Sequence, residues 1–290
     1  MIVKKALGAG LVWLLLLTAI ADGRNINDTP GADTASMPRA GISITLRKGF
    51  LVLAAGQIRG LRGKQNFVVD TGTSPSILNA RIARRMRLEV TSGTLVTVGR
   101  TLQVEQAVVP QLALGPLAVT SLRMNVMDLS QWEKDLGAEI AGLIGMDVLG
   151  RTNFRLDYEK RELEFGGEAE EGIAVGYDRT SGLALADATV QGRRVRLIVD
   201  TGSDLVVVYG EGWGGQKREI RGGVSIAGRE AAREIEKADM VLGGKIFRGS
   251  RTYCVPAGKA VGYEGFVGVR ALKLRGLSFD RDKHTMYLLN

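Results

Sequence analysis

From about residue 42 onward, apolar residues come in short runs separated by Gly-rich or charged turns, the pattern of a chain of strands. Phe50 to Ala54 and Asn66 to Asp70 flank a turn containing Gly60, Gly63 and Lys64, which predicts a hairpin. Leu183 to Val190 and Val195 to Asp200 repeat that hairpin around Gly192-Arg193-Arg194. A helix is expected from Asn79 to about Leu88, with Asn79 as its cap and Ile82, Met86 and Leu88 on one face for core packing. A second short helix is expected over Asp128 to Leu136, with Ser130 as candidate cap. Final strands are predicted at Glu162 to Phe165 and Thr285 to Leu289. The many Gly residues (39) and low aromatic content (6%) suit tight turns between short strands, so the fold class read here is mainly β.

The pattern can be read twice. Phe67-Val68-Val69-Asp70-Thr71-Gly72-Thr73 matches Leu197-Ile198-Val199-Asp200-Thr201-Gly202-Ser203, and Gly142-Leu143-Ile144-Gly145 matches Gly265-Phe266-Val267-Gly268. A further acid, Asp157 or Asp280, follows at one fixed distance from Gly145 or Gly268 and opens a charged turn before each final strand. The two copies differ in length between these landmarks as surface loops allow. A shuffled chain of this composition would hold roughly 0.1 Asp-Thr-Gly tripeptides, so two in matching context mark a duplicated unit. The expected organisation is residues 42–166 as a first lobe and 172–290 as a second, with Gly166 to Glu171 as the joint.

Ahead of these units, residues 1–21 read as a signal peptide. Lys4 and Lys5 precede an apolar stretch from Ala6 to Ile20, and Ala19-Ile20-Ala21 offers a small-x-small cleavage site. That stretch is short for a membrane span, which needs about 20 residues, so export to the periplasm or medium is expected. A membrane anchor through residues 6–20 is the alternative if the signal is retained. Residues 22–41, with Pro30, Gly31 and Pro38, read as a flexible leader.

The remaining composition mainly excludes. Net charge is +8 and falls by two if Lys4 and Lys5 are removed; it is scattered, without a basic block interleaved with aromatics, so no nucleic-acid partner is expected. The single Cys254 forms no internal disulfide and reads as a buried small residue. The single His284 sits beside the charged turn Asp280-Arg281-Asp282-Lys283 and reads as a solvated turn residue. A serine triad or a His-rich zinc site would have to draw on that one histidine. No cofactor and no metal is expected.

Each Asp-Thr-Gly follows an apolar strand, placing a carboxylate where the chain turns sharply. The glycine permits that turn and a close neighbour, and Thr73 or Ser203 can hydrogen-bond the adjacent carboxylate. Packed about a pseudo-twofold axis, the two turns would bring Asp70 and Asp200 face to face. Two carboxylates that close share a proton and titrate as a unit, as in the aspartic-protease dyad. Such a pair activates a water and polarises an amide carbonyl without metal, histidine or nucleophilic side chain.

Over residues 42–290 the two Asp-Thr-Gly-Thr/Ser turns and the elements Leu143-Ile144-Gly145 and Phe266-Val267-Gly268 resemble aspartic peptidases of the pepsin and retropepsin type. The resemblance implies a two-lobed fold built from a duplicated retropepsin-like β-barrel, closer to exported bacterial members than to a digestive pepsin. It implies Asp70 and Asp200 as catalytic residues of an aspartic endopeptidase acting on polypeptide. It also implies that Thr71 and Thr201 interlock beneath the pair, that Thr71, Gly72, Thr73, Thr201, Gly202 and Ser203 form the supporting loops, and that Ile144, Gly145, Val267 and Gly268 brace them. With both turns in one chain, a monomer containing an internal pseudo-dimer is expected. The alternative on the same fold is a module that binds a peptide or envelope partner without cutting it.

Three features depart from the pepsin pattern. The candidate flap, Thr91 to Gln103 with Gly93 and Gly99, has no tyrosine. Asp204 adds a carboxylate next to Ser203, either as a solvated turn residue or as a disturbance of the dyad. The stretch Gly214 to Gly249 is rich in charge and shows no clear flap pattern.

Overall fold

The computed structural model describes residues 17–18, 38–97, 100–169, 171–214, 216–225, 228–255 and 262–290. All of the predicted signal but Leu17 and Thr18, and most of the predicted leader, lie outside the described residues, as do the joint's Glu170 and the flap's Gly99. Among the described residues no helix is long and apolar enough to cross a membrane.

The predicted duplication appears directly in the strand pairing. In the first unit the order is Leu51–Ile58, Gln65–Val69, Gly142–Ile144, Ile77–Asn79, Leu117–Met127, Arg100–Leu114 and Val90–Thr97. In the second it is Leu185–Val190, Arg193–Asp200, Gly265–Gly268, Val206–Tyr209, Lys245–Val255, Gly228–Leu242 and Gln216–Ser225. Register repeats as well: Leu53 faces Val68 and Leu185 faces Ile198 in the antiparallel hairpins, while Val68 runs parallel to Leu143 and Ile198 to Phe266. Each sheet curls back on itself, Ile58 pairing with Leu112 and Ala188 with Leu242, giving two barrel-like sheets. Alternation along the strands explains this closure, since buried positions inside each barrel are apolar and outward ones polar.

A third sheet joins the copies. Phe154–Asp157 and Gly276–Asp280, the equivalent strands of the two units, pair antiparallel at its middle. Glu162–Phe165 and Ala40–Ser43 extend it on one side, and Thr285–Leu289 and Ile173–Gly176 on the other. Phe154 stacks on Phe279 with ring centroids 4.7 Å apart, and both are buried. Asp157 and Asp280 each cap the turn that follows: Asp157 Oδ1 accepts from the Glu159 and Lys160 amides, and Asp280 Oδ1 from the Asp282 and Lys283 amides. Both turns end on a left-handed residue at the same position, Arg161 (φ 56°) and His284 (φ 48°). His284 is thus an exposed turn residue, and Cys254 is buried and free.

Helix α1 covers Ala80–Met86, with Asn79 Oδ1 accepting from the Arg81 amide as the expected cap. Helix α2 covers Ser130–Leu136, but Ser130 does not cap it. Asp128, two residues earlier, takes the Ser130 amide instead, because Ser130 is already the first helical residue. A short helix α3, Met146–Leu149, follows Gly145. The whole is mainly β, the duplicated two-barrel architecture of pepsin- and retropepsin-like proteins.

Candidate active site

Each Asp-Thr-Gly turn leaves the end of a strand held on both sides. Gly142–Ile144 lies parallel to Phe67–Val69, and Gly265–Gly268 lies parallel to Leu197–Asp200. These central strands are buried throughout, so the sheet leaves their carboxyl ends little freedom. The bracing glycines are required by contact. A Cβ on Gly145 would stand 2.2 Å from the Thr73 carbonyl oxygen, and one on Gly268 would stand 2.3 Å from that of Ser203. The elements Ile144-Gly145 and Val267-Gly268 therefore press directly on the loops they were expected to support.

The two turns interlock. Thr71 Oγ1 donates to the Val199 carbonyl at 2.7 Å and accepts from the Thr201 amide at 3.0 Å. Thr201 Oγ1 donates to the Val69 carbonyl at 3.0 Å and accepts from the Thr71 amide at 3.0 Å. Both threonines are fully buried. This reciprocal set joins the units directly beneath Asp70 and Asp200, and it places Thr71 and Thr201 as the family resemblance implied.

Asp70 and Asp200 are both buried on the interlocked turns, near enough that each influences the other's ionisation. Their surroundings differ in one respect. Asp70 accepts from the Gly72 amide at 2.8 Å and from Thr73 Oγ1 at 2.8 Å. Asp200 accepts from the Gly202 amide at 2.7 Å, while Ser203 Oγ turns away and accepts from the Leu205 amide at 3.2 Å. Of the two hydroxyls expected to serve the carboxylates, Thr73 does and Ser203 does not.

Electrostatics follow this asymmetry. Burial raises Asp70 above the ordinary carboxylate range, with the Thr73 hydroxyl the main opposing influence. Asp200 is raised well above that range by burial, then by the charge of Asp70, with only the Gly202 amide opposing. The additional hydroxyl donor favours ionisation on Asp70 over Asp200, and the pair titrates as a unit. Asp204 is half-buried; burial raises it and Arg251 opposes, and it is not among the groups that shift either member of the pair. The disturbance considered from the sequence is not seen.

Each unit carries a long hairpin. Val90–Thr97 pairs with Arg100–Leu114 from Val90 opposite Ala107 to Thr97 opposite Arg100, in line with the expected flap. The second unit has a hairpin at the equivalent place, Gln216–Ser225 with Gly228–Leu242, interrupted by register shifts. Charge along Gly214 to Gly249 and the register shifts hid it. Two residues of strand, Leu17 and Thr18, lie between the first unit's hairpin and its active-site turn, parallel to Thr73–Ser74 and antiparallel to Val96–Thr97.

Residues 54–148 match the aspartyl protease family. The match spans the first Asp-Thr-Gly turn, the first hairpin and the Leu143-Ile144-Gly145 brace; the second unit lies outside it and is tied to the first by the repeated topology. No curated protein matches the chain. Among the described residues no cluster of His, Cys, Asp and Glu could hold a metal ion.

Two positions near the site escaped the sequence reading. Tyr158 is buried with its hydroxyl unpartnered, its ring under the Arg270 guanidinium at 5.2 Å; burial and then the charge of Asp200 push its hydroxyl far up. Ser76 and Asp147 form a side-chain bridge behind the first turn. Comparing Gly145-Met146-Asp147 with Gly268-Val269-Arg270 position by position would have exposed the difference.

Proposed function

We propose that the protein is an aspartic endopeptidase that hydrolyses peptide bonds with a water activated between Asp70 and Asp200. The observation that carries this reading is the pair of buried carboxyls, one on each of two turns locked together by Thr71 and Thr201. Asp70, held ionised by Gly72 and Thr73, takes a proton from the water as it attacks the carbonyl carbon. Asp200, still protonated, donates a hydrogen bond to the carbonyl oxygen and stabilises the charge that develops there. In the tetrahedral intermediate the proton held by Asp70 passes to the leaving nitrogen, the C–N bond breaks, and the pair returns to one shared proton.

An extended peptide is the substrate form this cleft favours. Leu17 and Thr18 already sit as strand between the active-site turn and the first hairpin, where main-chain bonds hold a chain irrespective of its side chains. Removal of residues 1–21 as a signal would vacate that slot, which fits an exported enzyme acting as a monomer, with lobes 42–166 and 172–290.

Incubation of the mature protein with denatured protein substrates between pH 3 and 8, with products read by mass spectrometry, tests the reading. Cleavage is expected in the wild type and absent in Asp70→Asn and Asp200→Asn. Tight peptide binding with no cleavage at any pH would instead identify a non-catalytic binding module on this fold.

A further inference from the structure

The two units are alike in topology, yet only the first gives its aspartate a hydroxyl donor. A second difference between the units lies one layer behind the turn. In the second unit the Gly268 amide bonds to the Leu205 backbone carbonyl at 2.7 Å, a purely main-chain brace. In the first unit the equivalent Gly145 amide bonds to the Ser76 side chain, Oγ, at 2.9 Å. Ser76 is fully buried, and Asp147 fixes it twice: Oδ1 accepts the Ser76 hydroxyl at 2.7 Å and the Ser76 amide at 3.0 Å. The second unit has Val206 and Arg270 at these positions, so it cannot build this bridge, and the Arg270 guanidinium is engaged with the Leu274 carbonyl and the Tyr158 ring.

We propose that Asp147 is a positioning residue which, through Ser76 and Gly145, holds the first turn so that Thr73 donates to Asp70 and makes Asp70 the ionised member of the pair. The chain of contacts is continuous. Asp147 lies in α3, which packs on Thr73–Ser74; Ser76 ends the same loop; and Gly145 presses on the Thr73 carbonyl with no room for a side chain. Displacing Ser76 releases the Gly145 amide and that contact together. Where the bridge is missing, in the second unit, the corresponding hydroxyl of Ser203 has turned to the Leu205 amide. The charged group facing Asp147 is Arg151, whose Nε donates to the Asp147 carbonyl at 2.9 Å; Ser76 and Arg151 oppose the effect of burial on the Asp147 carboxyl.

This proposal rests on the dyad assignment above, but its test does not need activity. The 13Cγ signals of aspartate are followed against pH in the full chain, with Asp70→Asn identifying the lower of the pair's two titration steps. Losing the Thr73 hydrogen bond disfavours ionised Asp70, so in Asp147→Ala and Ser76→Ala that lower step is expected to move up by about one unit. Asp147→Asn keeps an Oδ1 acceptor for both Ser76 donors and is expected to titrate close to the wild type. In the cleavage assay the acid limb of kcat/KM should move by the same amount, with KM little changed. A merely structural role would lower Tm and leave the step where it is. An unmoved step in folded Asp147→Ala overturns the proposal. Should that variant not fold, an unmoved step in Ser76→Ala, which removes one hydroxyl, overturns it instead.

Discussion

Asp70 and Asp200 share burial, a glycine amide and each other, and they differ by one hydroxyl. Thr73 favours the ionised form of Asp70, and nothing equivalent serves Asp200 among the described residues. Since burial raises both, the reading predicts a bell-shaped kcat/KM profile whose two limbs lie above the ordinary carboxylate range. The acid limb reports protonation of Asp70, and the alkaline limb reports loss of the Asp200 proton. Stability follows from the same shift. Asp200 binds its proton more tightly folded than unfolded, so its contribution is fully present below the ordinary aspartate value and is lost as pH rises through the raised value. Asp200→Asn removes that loss: its Tm relative to the wild type should be higher at pH 7 than at pH 4, measured by calorimetry. A constant difference across that window would contradict the assignment. At this scale the sequence told much, because Asp-Thr-Gly after an apolar run names both the residue and its place. It could not tell that Ser203 turns away, since a serine hydroxyl has several local amides within reach and only the fold selects one.

At the scale of elements, the strands that carry the site rest on close main-chain packing. A Cβ on Gly142 would stand 2.0 Å from the Ile77 carbonyl oxygen, and one on Gly265 would stand 2.0 Å from that of Val207, the same contact in each copy. Each oxygen belongs to the strand paired antiparallel with the glycine's own, Ile77–Asn79 or Val206–Tyr209, so moving it disturbs the strand that lies beside the aspartate strand. Gly142→Ala and Gly265→Ala are each expected to cost about 2 kcal/mol or more, checked by denaturant unfolding; loss below about 0.5 kcal/mol in both would show the strands to be looser than described. The hairpins and capped turns were legible because alternation, Gly192 and the acids Asp157 and Asp280 act locally. The second hairpin was not, because charged residues crowd its strands and register shifts interrupt their pairing. Ser130 misses the cap of α2 by one residue: Leu129 holds that position without a side-chain bond, Asp128 before it takes the Ser130 amide, and only the backbone decides where the helix starts.

For the whole molecule, the question is what makes two barrels one site. The central sheet pairs the units through Phe154–Asp157 and Gly276–Asp280, and the threonine interlock joins them at the dyad itself. Thr71→Val keeps the shape but leaves the Val199 carbonyl and the Thr201 amide buried without partners. The expected loss is about 2–5 kcal/mol in unfolding free energy, with activity falling alongside it; a change under about 1 kcal/mol would mean the interlock contributes little. The duplication made this arrangement foreseeable, since two copies of one landmark pattern pack most simply about a twofold axis. The central claim, that one carboxyl from each unit is needed for hydrolysis, is tested most directly by kcat/KM on a single identified peptide for the wild type, Asp70→Asn and Asp200→Asn. Each variant is predicted to lose about 10³-fold or more while remaining folded. A folded variant of either aspartate that cleaves the peptide within about tenfold of the wild type would contradict the account.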